Sequence, residues 1–309
     1  MGARYLVTGG AGFIGSHLVA ALLERGQSVR VADDFSTGRR ENVPADVELI
    51  EGDLADRAVA RRAVEGCEFV LHQAAIPSVP RSVSDPLTSH RANVDATLEV
   101  LAAARHHGVR RVVYAGSSSA YGDRVELPKR EDMPPAPKSP YALQKLVGEQ
   151  YCQLFTVLYG LETVTTRYFN VYGPRQQPGS PYSGVISLFI EAAVEGTRPA
   201  VHGDGTQTRD FTFVADVVEG VLACCTAPGV SGEVINLAPG GRISLLELLE
   251  TIGNIVGHPL DPMFGPARQG DVRDSQADAT KARRLLGFEP RVSLREGLEQ
   301  TMAWYRARG

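Results

Sequence analysis

Residues 5–17 read YLVTGGAGFIGSH. Tyr5–Thr8 is a β-forming run. A glycine turn follows, and Ile14, Leu18 and Leu22 then fall on one stripe of a helix. Gly9, Gly12 and Gly15 space the turn as G-x-x-G-x-x-G, with Phe13 and Ile14 between the last two. Between a strand and a helix, this spacing predicts a dinucleotide cradle. Glycine lets the backbone approach a pyrophosphate, and the helix N-terminus presents free N–H groups and positive potential. A tight turn without a ligand is the alternative.

The rhythm continues outward from this turn. Further strands are predicted at Ser28–Ala32, Val47–Glu51, Phe69–His72, Arg111–Ala115 and Glu162–Arg167. Helices are predicted near Ile14–Arg25, Asp56–Val64, Asp95–His107 and Tyr141–Tyr159. Strand–helix alternation implies right-handed crossovers. The expected fold class is therefore α/β: a Rossmann-type doubly wound parallel sheet with a smaller C-terminal α/β substrate lobe. NVYGPRQQPGSPYSG, residues 170–184, reads as a long loop rich in turn formers. A helix near Val185–Glu195, a strand-like DFTFV and a last helix near Leu294–Arg306 complete the pattern. The expected domains are a dinucleotide-binding unit over 1–172, with a returning segment at about 213–237, and a substrate lobe over 173–212 and 238–309.

Acidic residues refine the cradle. Asp33 ends the second strand 18 residues after Gly15, where a carboxylate can accept hydrogen bonds from an adenosine ribose and would repel a 2′-phosphate. That favours NAD over NADP, although Arg39 and Arg40 lie close enough to reach a phosphate. Asp34 and Ser36 have a capping role as their plain alternative. Asp53, in EGDL, is placed at the adenine edge.

Composition closes other routes. The chain has 309 residues, 43% hydrophobic and 22% charged, with a net charge of -4, which gives no general attraction to nucleic acid or acidic lipid. No H-E-x-x-H or similar spacing calls for a metal, and His106-His107 read as helix-end polar residues. No apolar run reaches the ~20 residues of a membrane span. MGARYL has Leu6 where a myristoylation signal needs Ser or Thr. Cys67, Cys152, Cys224 and Cys225 form no C-x-x-C pair and suit free thiols in a reducing cytoplasm.

SPYALQK, residues 139–145, sets Tyr141 and Lys145 four positions apart, hence on one helix face. Taken alone, the pair could be a surface contact. Ser117, in GSSSAYG, closes the preceding strand 24 residues earlier. This Ser, Tyr-x-x-x-Lys set resembles the catalytic set of the short-chain dehydrogenases/reductases. With G-x-x-G-x-x-G it resembles the extended branch acting on nucleotide sugars. The resemblance runs nearly end to end, through TGGAGFIGSH, DDFSTG, GDL, HQAA, SPYALQK, RYFNVYGPRQ, GDGTQTRDF and GDVRDSQAD.

The resemblance implies a cofactor site that also includes Thr37, Gly38, Leu54, Gln73, Ala74, Ala75 and Tyr168. It implies that Tyr141 is base and acid, Ser117 orients the sugar oxygen, and Lys145 holds the nicotinamide ribose. A free phenol has a pKa near ~10; a neighbouring cation lowers it, so Lys145 is expected to bring Tyr141 toward neutrality. Dehydrating and decarboxylating relatives carry acids after the serine, whereas this chain has Ser118 and Ser119, poor acids and bases. That favours an isomerase: a UDP-hexose 4-epimerase working through a transient 4-keto sugar and bound NADH, as in galactose metabolism. A UDP-glucuronate 4-epimerase, a dehydrogenase releasing NADH and a non-catalytic nucleotide sensor are the alternatives. For the UDP-sugar, the resemblance implies contacts from Ser78, Asn170, Val185, Arg209, Arg268 and Asp271. The resemblance also implies that Ser275 gates room around the C2 substituent; a serine there is expected to leave space for N-acetylated sugars. A homodimer through the helices at Asp95–His107 and Tyr141–Tyr159 is also implied.

Overall fold

The computed structural model describes residues 4–177, 184–267 and 272–307. Its centre is a parallel sheet laid down by β1 (Tyr5–Thr8), β2 (Val29–Asp33), β3 (Glu48–Glu51), β4 (Phe69–His72), β5 (Arg111–Ser117) and β6 (Glu162–Tyr168). The chain runs β1 to β3 toward one edge, then returns to place β4, β5 and β6 on the other side of β1. The direction of winding therefore reverses between β1 and β4. In open α/β sheets, ligands bind in the crevice beyond the strand ends at such a point.

Crossover helices cover both faces. α1 (Phe13–Glu24) lies on one face, packing Leu18, Val19 and Leu22 against Val7, Val31 and Leu71. α2 (Arg57–Val64) covers the other, where Asp56 caps it by accepting the Ala58 N–H at 2.8 Å. Two short helices, α3 (Val79–Ser84) and α4 (Pro86–His90), lead into a π-turn at Arg91–Asp95. α5 (Ala96–His106) follows, so Asp95 belongs to the turn and not to the helix proper. α6 (Pro140–Tyr159) completes this face with Cys152 and Phe155 in the core.

Beyond β6 the strands shorten. β7 (Val171–Tyr172) occupies the start of the predicted loop; β8 is Ala200–His202 and β9 is Thr208–Arg209. β10 reduces the strand expected at DFTFV to Thr212–Phe213, parallel to β7. α7 is Val185–Glu195 and α8 is Val214–Thr226. β11 (Val234–Leu237) then returns to the main sheet as a seventh strand, parallel to β6. β12 (Ile243–Ser244) pairs with β9, and β13 (Met263–Gly265) pairs with β8. α9 (Leu245–Val256), α10 (Thr280–Leu286) and α11 (Leu294–Arg306) complete the order. Phe189, Ile190, Leu248, Ile252, Leu298 and Met302 form a separate apolar core from α7, α9 and α11.

Candidate active site

A cleft of about 800 Å³ opens beyond the strand ends, within the range of small-molecule sites. Its floor is the glycine turn. Gly9 has φ +65°, and a Cβ there would lie 2.8 Å from the Ala74 nitrogen, where the ends of β1 and β4 abut. A Cβ on Gly15 would lie 2.1 Å from the Gly9 carbonyl oxygen. The turn closes only without side chains at these positions.

Asp33 is 6% exposed and accepts the Ala11 N–H at 2.9 Å and the Phe35 N–H at 2.9 Å. Burial raises its pKa, against the two amides, which lower it. Asp34 accepts both the N–H and the hydroxyl of Ser36, so these two close a local turn at the cleft rim, with Thr37 beside them. Arg39 pairs with Glu41, and Arg40 pairs with Glu51 while covering the Phe35 ring. Gly38 does not line the cleft; it packs under the turn, where a Cβ would meet Ala11 at 2.8 Å. Asp53 and Leu54 line the cleft, and Asp53 also pairs with Arg91.

Gln73, Ala74 and Ala75 line the next stretch. The Tyr168 hydroxyl donates to Gln73 Oε1 at 3.0 Å, whereas Gln73 Nε2 is buried with no partner among the described residues. A buried donor without an acceptor costs about 1–3 kcal/mol, so the cleft fits a bound group that carries an acceptor there. The glycine turn, the acid at the end of β2 and this unpartnered amide together fit a dinucleotide.

The sequence around Tyr141 folds as it does for local reasons. Ser139 caps α6 by accepting the Ala142 N–H at 3.2 Å, and Pro140 suits the first helical position. The Tyr141 N–H donates to Ser82 Oγ at 3.0 Å, tying the helix start to α3. Ser117 ends β5, its hydroxyl 2.8 Å from that of Ser119. Lys145 is 4% exposed, and its Nζ donates to the Ala115 carbonyl at 2.8 Å. Burial brings Lys145 down to about 8. Tyr141, Lys145, Ser117, Ser118 and Ser119 all line the cleft.

Burial raises the Tyr141 phenol above its ordinary value, and its interaction with Ser117 pulls it back. Desolvation penalises the charged forms of both groups, and the ammonium is engaged by the Ala115 carbonyl.

The opposite wall carries Ser78, Asn170, Arg209 and Ser275. Ser78 caps α3, and Asn170 holds φ 38° with its Nδ2 donating to the Asp210 carbonyl. Arg209 donates to the Thr208 and Arg273 carbonyls. Ser275 is 8% exposed. Val185 opens α7 and packs toward the C-terminal core; its neighbour Gly184 lines the cleft instead. Arg268 and Asp271 lie outside the described residues. The structure adds lining residues that the motifs did not single out: Asn42, Arg81, Lys129, Lys138, Arg175 and Gln177. Arg175 and Gln177 sit in the turn-rich loop after β7, whose length was the available signal. Among the described residues no group of three or more His, Cys, Asp or Glu side chains could hold a metal ion, and no helix is long and apolar enough to cross a membrane.

A glycine-floored cleft at a sheet reversal, with Ser, Tyr and Lys at its centre, defines an extended short-chain dehydrogenase/reductase. A model of the NAD dependent epimerase/dehydratase family matches residues 5–238, and the chain belongs to that family. It is 41% identical over 310 residues to a UDP-glucose 4-epimerase of Mycolicibacterium smegmatis, with 98% of each covered. Its fold superposes with a TM-score of 0.95 on the UDP-glucose 4-epimerase of Thermotoga maritima solved with UDP-glucose, 37% identical, covering 98% of this chain and 99% of that one. The Thermus thermophilus UDP-glucose 4-epimerase solved with NAD gives 0.89 at 37% identity, covering 98% of this chain and 99% of that one. The cofactor is NAD.

Proposed function

We propose that this protein is a UDP-hexose 4-epimerase that interconverts UDP-glucose and UDP-galactose and also accepts their N-acetylated counterparts. The observation that carries this reading is the convergence of Ser117, Tyr141 and Lys145 in one cleft without an acid beside them. The carboxylates lining the described cleft are Asp33, Asp34, Asp53 and Asp274. The first three belong to the dinucleotide side, and Asp274 is engaged by the Thr208 hydroxyl at 2.6 Å. Water elimination or decarboxylation has no partner group next to the serines, whereas inversion at one carbon needs none.

Bound NAD⁺ supplies a hydride acceptor and a positive charge beside the phenol. Tyr141 removes the proton of the sugar 4-hydroxyl and later returns one to that same oxygen, once the sugar has turned so that its C4 is reduced from the other face. Ser117 donates to the reacting oxygen and holds it against Tyr141. Lys145, tethered to Ala115, holds the ribose edge and keeps a proton donor near the base. The cleft volume of about 800 Å³ supports turning of a 4-keto sugar between the two transfers. The four buried, unpaired thiols support a reducing compartment such as the cytoplasm. Exposed Leu154, Val157 and Leu158 on α6 support pairing of two copies through that helix.

The test is incubation of the NAD-loaded protein with UDP-glucose, UDP-galactose, UDP-GlcNAc and UDP-GalNAc, resolving epimers by NMR. Interconversion of the hexose pair is expected. Its absence, with NAD bound and the protein folded, would overturn the reading.

A further inference from the structure

Tyr141, Lys145 and Glu149 follow one another at four-residue steps along α6, so they share a face. Glu149 is buried, and so is its partner Arg167 on β6. The pair is bidentate: Arg167 Nε and Nη2 donate to the two Glu149 oxygens at 2.9 and 2.6 Å. Arg167 stands opposite Gly116 in the β5–β6 register, one residue from Ser117. Its guanidinium carbon lies 4.4 Å from the centre of the Tyr121 ring, which lines the cleft. The Tyr121 hydroxyl donates to Asn236 Oδ1 at 2.7 Å, and Asn236 Nδ2 donates to the Lys129 carbonyl at 2.9 Å. The Lys129 N–H donates to the Gln276 carbonyl, next to the sugar-gate residue Ser275.

A buried ion pair is an inefficient stabiliser, since well-packed apolar side chains of similar volume commonly do as well. Depth is already set elsewhere. A Cβ on Gly148 would lie 2.3 Å from the Tyr114 hydroxyl, so α6 rests directly on β5. What that contact does not set is sliding of the helix along the strand, and a two-point fork opposes sliding.

We propose that Arg167 is a positioning residue: clamped by Glu149 and stacked on Tyr121, it holds the Tyr141–Lys145 face of α6 in register with the Ser117–Tyr121 turn. The inference rests on the epimerase reading for its role in turnover. Arg167 touches no reacting atom; it acts through Tyr141 and Ser117.

Two variants test it in the NAD-loaded protein: R167K, which keeps the charge but loses the fork, and the apolar pair E149L/R167M. Both are read by kcat and KM with UDP-glucose and by thermal melting. The Tyr141 phenol titration is read as well, as the ultraviolet difference between each protein and its Y141F counterpart. The expected result is folded protein whose kcat falls about 10²-fold with KM within about threefold, because misplacement by about 1 Å costs that much. The phenol titration should move by at least about 0.5 unit as its distance from Ser117 changes. A folded variant with wild-type kcat and an unmoved titration would overturn the proposal, as would failure of both variants to fold. If the wild type leaves every UDP-sugar unchanged, the epimerase reading falls, and the titration, which needs no turnover, still decides the register role.

Discussion

The two walls of the cleft are made differently. The dinucleotide wall is backbone held at close range: the glycine turn, the end of β4 and the amides gathered by Asp33. The opposite wall, which the proposed function assigns to the sugar, is side chains delivered by short pieces, β7 with β10 and β9 with β12, whose positions depend on Asp210 and Asn170. A wall of backbone tolerates no added atoms, so it is fixed in shape and general in what it holds. A wall of side chains changes shape with one substitution, so selectivity is expected there. Tyr141 and Lys145 stand between the two, on a helix tied to α3 through Ser82 and to β5 through the Ala115 carbonyl.

The largest expected effect separates chemistry from both walls. Tyr141→Phe removes the proton acceptor while keeping the ring that fills the site. Turnover should fall by about 10³–10⁴-fold. NAD retention, measured by absorbance of the denatured protein, should stay at the wild-type level. Loss of NAD together with activity would show that the phenol builds the cofactor wall.

Next in size is the hub of the sugar wall. Asp210 is 1% exposed and accepts the Ala277 and Gly240 N–H groups at 3.0 and 3.1 Å. Burial pushes it up to about 7 from 3.8, with the two amides pulling the other way. The folded state thus holds a proton over pH 4–7 that the unfolded chain has lost. The stability this contributes is complete below about pH 4 and is lost as pH rises through 7, up to about 4 kcal/mol. Denaturant unfolding of Asp210→Asn should lack that slope. An unchanged slope would place the titration elsewhere.

The contrast between the walls also governs what could be read from the chain. The glycine spacing, Asp33 at a strand end and Tyr-x-x-x-Lys on a helix are local patterns, and β1 to β6 fall within a residue or two of where alternation and turn signals put them. β11 is different: VINL is four residues at the end of the segment expected to return at about 213–237, and the strand itself emerges only in its pairing with β6. The desolvation of Tyr141 was not legible, because burial is a property of the packed site. Nor was the Glu149–Arg167 clamp, whose members belong to different elements with no motif between them. Val185 marks the grain of such reading: the cleft is lined by the residue before it.

A smaller effect probes the backbone wall. Gly15→Ala places a methyl group 2.1 Å from the Gly9 carbonyl oxygen, and neither backbone can yield without opening the turn. Overpacking of about 1–3 kcal/mol corresponds to a loss in NAD affinity of up to about 10²-fold. Calorimetric titration of the stripped protein measures it. The relative rates with different UDP-sugars should be unaltered, since the sugar wall is untouched. Undiminished NAD affinity would mean that this turn does not receive the pyrophosphate.

The smallest effect is the most selective, and it belongs to the other wall. Ser275 lines the cleft with its N–H donating to the Thr208 carbonyl at 3.1 Å, so its backbone is fixed and its side chain alone sets the space above it. Ser275→Tyr adds an aromatic ring at a position only 8% exposed, leaving the ring no outlet except into the cleft. An N-acetyl group competes for that volume, and a hydroxyl does so far less. The ratio of kcat/KM for UDP-GalNAc to that for UDP-galactose should therefore drop by about 10-fold or more, the scale on which a pocket discriminates by size. Retention of both activities in equal measure would show that the C2 substituent lies elsewhere.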